Sequence, residues 1–284
     1  MGQSFYEADA DARAVFDEAS ELLGYDMKAL CFEENEKLNL TQYTQPAMVT
    51  TGIAIMKVVE KQGLLPDTAA GLSLGEYEAL YAAGALSVTD AIRVVARRGE
   101  LMEAAVPAGV GAMAAVLGAE ARLIEETLPE IPEVWIANYN CPGQIVISGK
   151  KEAVEAAAEA LKARGIKRVL MLNVSGPFHS GLLREAGEKL GKVLAETEIH
   201  PLRIPYYANV TGGIVEDAAK VRGLLTEQVY SSVRFEQSIR NMLSAGVDTF
   251  YELGPGKTLA GFVKKIDRAA TVVNIETMED LAKL

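Results

Sequence analysis

Between residues 9 and 30 the apolar positions Ala12, Val15, Phe16, Ala19, Leu22 and Leu23 recur three and four apart, so they share one helix face. A second helix is predicted over roughly 45–62, beginning near Pro46, because a proline in the first turn gives up an N–H that has no intrahelical partner. A short apolar run through "LLPDTAAG" predicts a strand, a serine follows it, and "LGEYEALYAAG" predicts a helix closed by Gly84. Another helix is expected over 88–105, opening after Ser87 with Asp90 three residues on as an imperfect capping box. Its stripe is Ile92, Val95, Leu101 and Met102. With Val95 at zero and 100° per residue, Met102 falls at about 340° and Ile92 at about 60°. Arg93 and Arg97 fall near 160° and 200°, opposite the stripe, whereas Arg98 falls at about 300°, inside it.

From 107 to 178 the rhythm changes. "GAMAAVLG" predicts a strand, "AEARLIEETL" a helix, "VWIANYN" and "QIVISG" two strands joined at "CPG", "KEAVEAAAEALKARG" a helix, and "KRVLMLNV" a last strand. That order, βαββαβ, is the ferredoxin-like unit. Beyond it "HSGLLREAGEKLGKVLAET" is helical, "IPYYANVTG" a strand and turn, "FEQSIRNMLSAG" an amphipathic helix, and "TFYELGPG" a strand running into a turn. The predicted class is α/β: a large α/β-hydrolase-like parallel-sheet domain made of 1–106 and 179–284, with a ferredoxin-like subdomain, 107–178, inserted.

Composition narrows the function classes. The 284 residues are 49% hydrophobic and 24% charged, the balance of a soluble globular chain. Two cysteines, Cys31 and Cys141, are too few for a disulfide framework or a zinc site, so no metal or cofactor is expected. The start, "MGQSFYEADADAR", lacks the basic-then-apolar order of a secretory signal, and Tyr6 stands where myristoylation wants Ser or Thr. Uncharged runs such as "LNLTQYTQPAMVTTGIAIM" carry too many polar residues for a bilayer. A cytoplasmic protein without membrane partners is expected. The net charge of −11, with no helix-turn-helix, zinc spacing or aromatic RNA-binding pattern, argues against nucleic acid. Local basic clusters remain: Lys257, Lys264, Lys265 and Arg268 in one place, Lys150, Lys151, Lys167 and Arg168 in another.

The chemistry gathers around Gly71-Leu72-Ser73-Leu74-Gly75, a Gly-x-Ser-x-Gly pattern between a predicted strand and a predicted helix. Small flanking residues allow a tight strand-to-helix turn that projects the serine Oγ. The N–H of the next residue, Leu74, and the helix N-terminus then face a developing oxyanion. A serine needs a base, most often histidine, and there are two. His200, in "EIHPLRIP", precedes a proline and suits a surface position. His179, in "NVSGPFHSGLL", stands where the predicted insertion rejoins the large domain, the place for a cleft. Arg98, pointing inward, needs an anion or a hydrogen-bond partner, and a snorkelling or structurally paired arginine would fit the pattern equally well.

Several stretches together carry a resemblance: "TQPA", "GLSLGEYEAL", "ARRGELM", "GAMAAVLG", "NYNCPGQIVISG", "VSGPFHS" and "YELGPGKTLAGFVKKI", in this order over nearly the whole chain. They resemble the malonyl-CoA:acyl carrier protein transacylase family of fatty-acid synthesis. The resemblance implies Ser73 as nucleophile, His179 as general base and acid, Arg98 as partner of the malonyl carboxylate, and the Leu74 N–H as an oxyanion donor. It also implies that His179 is oriented by a backbone carbonyl, that of Gln228 in "TEQVYSSVRF". Phe178 matches a bulky residue of malonyl-selective relatives. The implied reaction is ping-pong transfer from malonyl-CoA to the phosphopantetheine thiol of acyl carrier protein.

Two positions depart from the family pattern. Leu72 stands where the commonest motif has histidine, leaving a packing role or a tuned acyl pocket. The family also usually begins with a strand and a Gly-Gln-Gly-x-Gln loop whose last glutamine is the second oxyanion donor. The first residues here resemble those after that loop, so the strand and loop are expected to be absent, and Gln3 is not taken as their equivalent. Two competing readings are a serine thioesterase or hydrolase and a weakly active shortened homologue that binds carrier protein.

Overall fold

The computed structural model describes every residue except Ala108 and Ser175, so the first serine of "VSGPFHS" and two residues in all of the 107–178 segment lie outside the described residues. The N-terminal third is helical: α1 (Gln3–Ala8), α2 (Ala10–Leu23), α3 (Met27–Phe32) and α4 (Thr41–Lys61). The apolar face predicted over 9–30 is present but divided. Gly24 closes α2 in the left-handed region at φ 74°, and the Asp26 carboxylate opens α3 by accepting from the Lys28 and Ala29 N–H groups. Helix α4 begins earlier than predicted, at Thr41, which leaves Pro46 inside it. No side chain at its N-cap marks that start. The Gln42 N–H is instead satisfied by Glu103 Oε2 at 2.9 Å, a contact between residues 61 apart that local pattern does not reveal.

Strand β1 (Ala69–Ala70) leads through the serine turn into α5 (Gly75–Ala82), and α6 (Val88–Ala105) follows. Ser87 caps α6 as predicted, accepting from the Asp90 N–H. The small sheet comprises β2 (Gly111–Leu117), α7 (Ala121–Thr127), β3 (Val134–Cys141), β4 (Gln144–Lys150), α8 (Lys151–Ala163) and β5 (Arg168–Met171). Its strand order, β3-β4-β2-β5, is antiparallel throughout, the arrangement expected of a ferredoxin-like βαββαβ unit. The core beneath it holds Ile124, Ile145, Ile147, Val154 and Leu161.

The chain then forms α9 (Arg184–Glu196), β6 (Tyr206–Tyr207), β7 (Ile214–Val215), α10 (Val221–Gln228), α11 (Phe235–Ser244), β8 (Thr249–Leu253), α12 (Thr258–Ile266), β9 (Thr271–Ile275) and α13 (Met278–Leu281). The parallel ladders of this part are short: β1 pairs with β6, and β8 with β9. Both β1 and β8 line a cavity of about 700 Å³, and among the described residues each pairs on one side only. The helical layer and this part share one core around Phe5, Phe16, Ile53, Leu80, Ile92, Leu190 and Tyr206. The small sheet joins the rest through β3: Val233 exchanges backbone hydrogen bonds of 2.8 Å with Ala137 and Tyr139, Ser232 Oγ donates to the Ile136 carbonyl at 2.5 Å, and Cys141 packs with Phe235 and Phe262 of α11 and α12.

Candidate active site

The serine turn is built by close approach. A Cβ on Gly71 would lie 2.0 Å from the Gly75 carbonyl carbon and oxygen and 2.7 Å from the Glu76 nitrogen, so the chain can double back only where that side chain is absent. Gly75 has nothing within 4 Å of its own would-be Cβ. Between them Ser73 takes φ 53°, in the left-handed region that an L residue enters at a cost of about 1–2 kcal/mol. Two side-chain amides hold it there. Asn209 Oδ1 accepts from the Ser73 N–H at 2.5 Å while its Nδ2 donates to the Gly71 carbonyl at 2.6 Å. Gln228 Nε2 donates to the Ser73 carbonyl at 2.8 Å. The Leu74 N–H, next along, donates to no group among the described residues.

His179 reaches the serine from the far side of the junction between β5 and α9. It also has a positive φ, 58°, and its imidazole is buried. Nδ1 lies 2.8 Å from the Gln228 carbonyl oxygen and Nε2 lies 2.6 Å from Ser73 Oγ. A carbonyl can only accept, so the proton sits on Nδ1 and Nε2 presents its lone pair to the serine O–H. Burial pushes the imidazole pKa down to about 4, aided by the Arg98 charge, against the raising effect of the Gln228 carbonyl. The ring is therefore neutral at pH 7, with the Nε2 lone pair free to take a proton.

Arg98 is 1% exposed, in the inward position that the α6 stripe predicts, while Arg93 and Arg97 are exposed. Its Nη1 donates to Gln45 Oε1 at 2.8 Å, and its Nη2 donates to Gln228 Oε1 at 3.0 Å and to Ser73 Oγ at 3.2 Å. A guanidinium thus stands within hydrogen-bond reach of the serine oxygen, on rigid helix. Phe178 packs on both the main core and the small-sheet residues Met113, Ala137 and Val146. Leu72 packs against the Phe235, Ile239 and Phe262 cluster of α11 and α12.

Of the residues the sequence nominated, His179, Arg98 and Gln228 meet at Ser73, with the Leu74 N–H next along the turn, while Leu72 packs toward α11 and α12 and Phe178 lies between the main core and the small sheet. His200 is exposed, with Nδ1 at 3.6 Å from Glu198 Oε1. Gln3 lies in α1 and donates to Glu7 Oε1 at 2.8 Å. Four features of the site were not foreseen: Asn209, Glu76, Gln45 and the side chain of Gln228. Gln45 lay inside the "TQPA" stretch, and Asn209 ends the apolar run "YYA", so a polar residue closing a buried strand was the available signal. Among the described residues no His, Cys, Asp and Glu cluster could hold a metal ion.

Comparison with known proteins identifies the family. Residues 1–279 match the family model described as an acyl transferase domain. The chain belongs to the acyl transferase family. A malonyl CoA-acyl carrier protein transacylase of Bacillus subtilis is 46% identical over 286 residues, covering 99% of this chain and 90% of that protein. An acyl carrier protein S-malonyltransferase from Vibrio cholerae superposes with a TM-score of 0.97 at 41% identity, over 100% of this chain and 94% of that one. A malonyl-transacylase solved in complex with its type II PKS acyl-carrier protein superposes at 0.96 and 38% identity, over 100% and 93%. In this acyl transferase the serine, imidazole and guanidinium meet where the small sheet adjoins the larger part.

Proposed function

We propose that the chain moves a malonyl group from malonyl-CoA to the phosphopantetheine thiol of an acyl carrier protein, through a malonyl ester on Ser73. The observation that carries this is the placing of one serine oxygen 2.6 Å from a neutral imidazole nitrogen and 3.2 Å from a buried guanidinium. An acyl group on that oxygen meets the cation if it bears a carboxylate, and a planar bidentate fork suits a carboxylate better than an ammonium would.

In the first half-reaction His179 Nε2 takes the Ser73 proton as Oγ attacks the thioester carbonyl. The tetrahedral oxyanion accepts from the free Leu74 N–H at the α5 N-terminus. Collapse expels the CoA thiolate, which takes the proton from the imidazolium. In the second half the carrier thiol gives its proton to His179, the thiolate attacks the serine ester, and Ser73 leaves with that proton. The Gln228 carbonyl holds the Nδ1 proton throughout, doing without a carboxylate. Phe178 and Leu72 border the acyl site in this reading. The division into 1–106 with 179–284 and an inserted 107–178 belongs to the same reading, supported by the separate core under the small sheet. So does a cytoplasmic location: among the described residues no helix is long and apolar enough to cross a membrane.

Intact-protein mass spectrometry after mixing with malonyl-CoA tests the proposal. One malonyl adduct should form, vanish in Ser73→Ala, and pass to a phosphopantetheine thiol faster than to water; rapid hydrolysis instead would make the protein a thioesterase. Arg98→Ala should slow malonyl loading by at least about 10²-fold while changing acetyl loading little, since it removes the partner of a buried charge. Equal losses would refute the carboxylate role.

A further inference from the structure

Glu76 lies in the first turn of α5, fully buried, three residues after the serine, and touches none of the reacting groups. Its Oε2 accepts from Gln228 Nε2 at 2.8 Å and from the Asn209 backbone N–H at 3.2 Å. Those are the two residues whose side-chain amides hold Ser73, Asn209 by its N–H and Gln228 by its C=O. Gln228 also supplies the carbonyl that fixes His179 and the Oε1 that accepts from Arg98. One carboxylate oxygen therefore gathers the supports of the nucleophile, the base and the cation.

The chemistry of the acceptor matters here. Facing two N–H donors, the Glu76 Oε2 can only accept, whether the carboxyl is ionised or carries a proton on its other oxygen. Facing Gln228, it requires that the amide present its NH₂ end, which leaves Oε1 pointing at Arg98. A reversed amide would set NH₂ against the guanidinium and oxygen against two acceptors. Glu76 Oε1 makes no hydrogen bond to Gln228 or Asn209, the Tyr206 hydroxyl being the other polar group beside the carboxyl, so Oε2 alone performs this service.

We propose that Glu76 is a positioning residue of the transfer reaction: its Oε2 sets the orientation of the Gln228 amide and the place of Asn209, and through them the alignment of Ser73 with His179. What counts is an acceptor at that point, not the negative charge. The inference rests on Ser73 being the acylated residue.

Two conservative variants separate position from charge. Glu76→Asp keeps the charge and withdraws the acceptor by one methylene. Glu76→Gln keeps the acceptor in place and removes the charge, its NH₂ taking the place of Oε1, which holds neither Gln228 nor Asn209. Both are measured by single-turnover malonylation and by the split between kcat and KM, on protein whose folding is checked by thermal melting. Glu76→Asp should lose about 10- to 100-fold in kcat, with KM for malonyl-CoA within about threefold, because a misalignment near 1 Å slows chemistry without removing substrate contacts. Malonyl and acetyl transfer should fall together. Glu76→Gln should stay within about fivefold of the parent.

Both variants at parental rates would mean that Glu76 only fills space, and would overturn the proposal. An active Glu76→Asp with an inactive Glu76→Gln would overturn it in favour of the charge. Two inactive variants, or a rise in KM at unchanged kcat, would also overturn it. If the parent protein takes no malonyl group on Ser73, it is the functional assignment that has failed. A parent that loads normally beside an equally fast Glu76→Asp refutes the positioning role alone.

Discussion

At the scale of single residues the site depends on which groups stay neutral. His179 sits beside a fixed cation in a buried place, and both effects oppose taking up a proton. Its folded pKa of about 4 lies below the ordinary value of 6.5, so the stability it contributes is complete above pH 6.5 and is lost as pH falls through 4. Two carboxyls work in the opposite sense. Burial pushes Glu76 up to about 7 and Glu78 up to about 8, so their contribution is complete below 4.5 and is lost as pH rises through those values. Stability against pH therefore mixes opposing trends and is a poor gauge of the base. A direct titration is better, since the chain has only two histidines. In an NMR pH titration, with the resonances assigned through a His200→Gln variant, the His179 ring should remain neutral at pH 6 and protonate only near 4. A midpoint at 6.5 or above would show that the ring is not held between Arg98 and the Gln228 carbonyl as described.

At the scale of elements the two glycines of the Gly-x-Ser-x-Gly pattern are unequal. The atoms that crowd Gly71 are backbone atoms of the next helix, which cannot rotate away. Gly71→Ala should therefore cost at least about 2 kcal/mol in denaturant unfolding, as overpacked sites do, and should also displace the serine. Gly75 is the first residue of α5 with open space around it, and replacing it by Ala should stabilise by about 0.5–1 kcal/mol through lower unfolded-chain entropy. Equal effects of the two substitutions would contradict the close-packed turn. Much at this scale was legible in the sequence. The 3.6-residue period set Arg98 inside the α6 stripe, and alternating strand and helix patterns marked the βαββαβ order, because one chain segment decides each. The start of α4, fixed by Glu103, and the support of Ser73 by Asn209 and Gln228 join residues 61 to 155 positions apart. A local period carries no information about such pairs. The pattern could mark where a serine turn begins but not which distant amides hold it.

At the scale of the whole molecule, the proposed transfer requires a chain of net charge −11 to receive a carrier protein, and for an acidic one docking depends on where basic residues remain free. Lys150 is paired with Glu133 at 2.7 Å, Lys264 donates to the Ala270 carbonyl at 2.6 Å, and Lys265 to Gln144 Oε1 at 3.2 Å. Among the described residues Lys167 and Arg168 enter no ion pair, and both are exposed. Lys167 precedes and Arg168 opens β5, the edge strand of the small sheet, whose Leu170 and Met171 are exposed beside them, with His179 eight residues beyond Met171. A basic pair next to an apolar edge, leading directly to the base, suits an acidic partner that delivers a tethered thiol. Replacing Lys167 and Arg168 together by Glu should leave malonyl loading from CoA within about twofold. It should raise the KM for carrier protein by about tenfold at low salt. Raising the salt should shrink that difference, since the Debye length falls from about 10 Å at 0.1 M to about 3 Å at 1 M. An unchanged KM would move the docking surface elsewhere, and an equal loss in both half-reactions would assign these two residues to CoA instead.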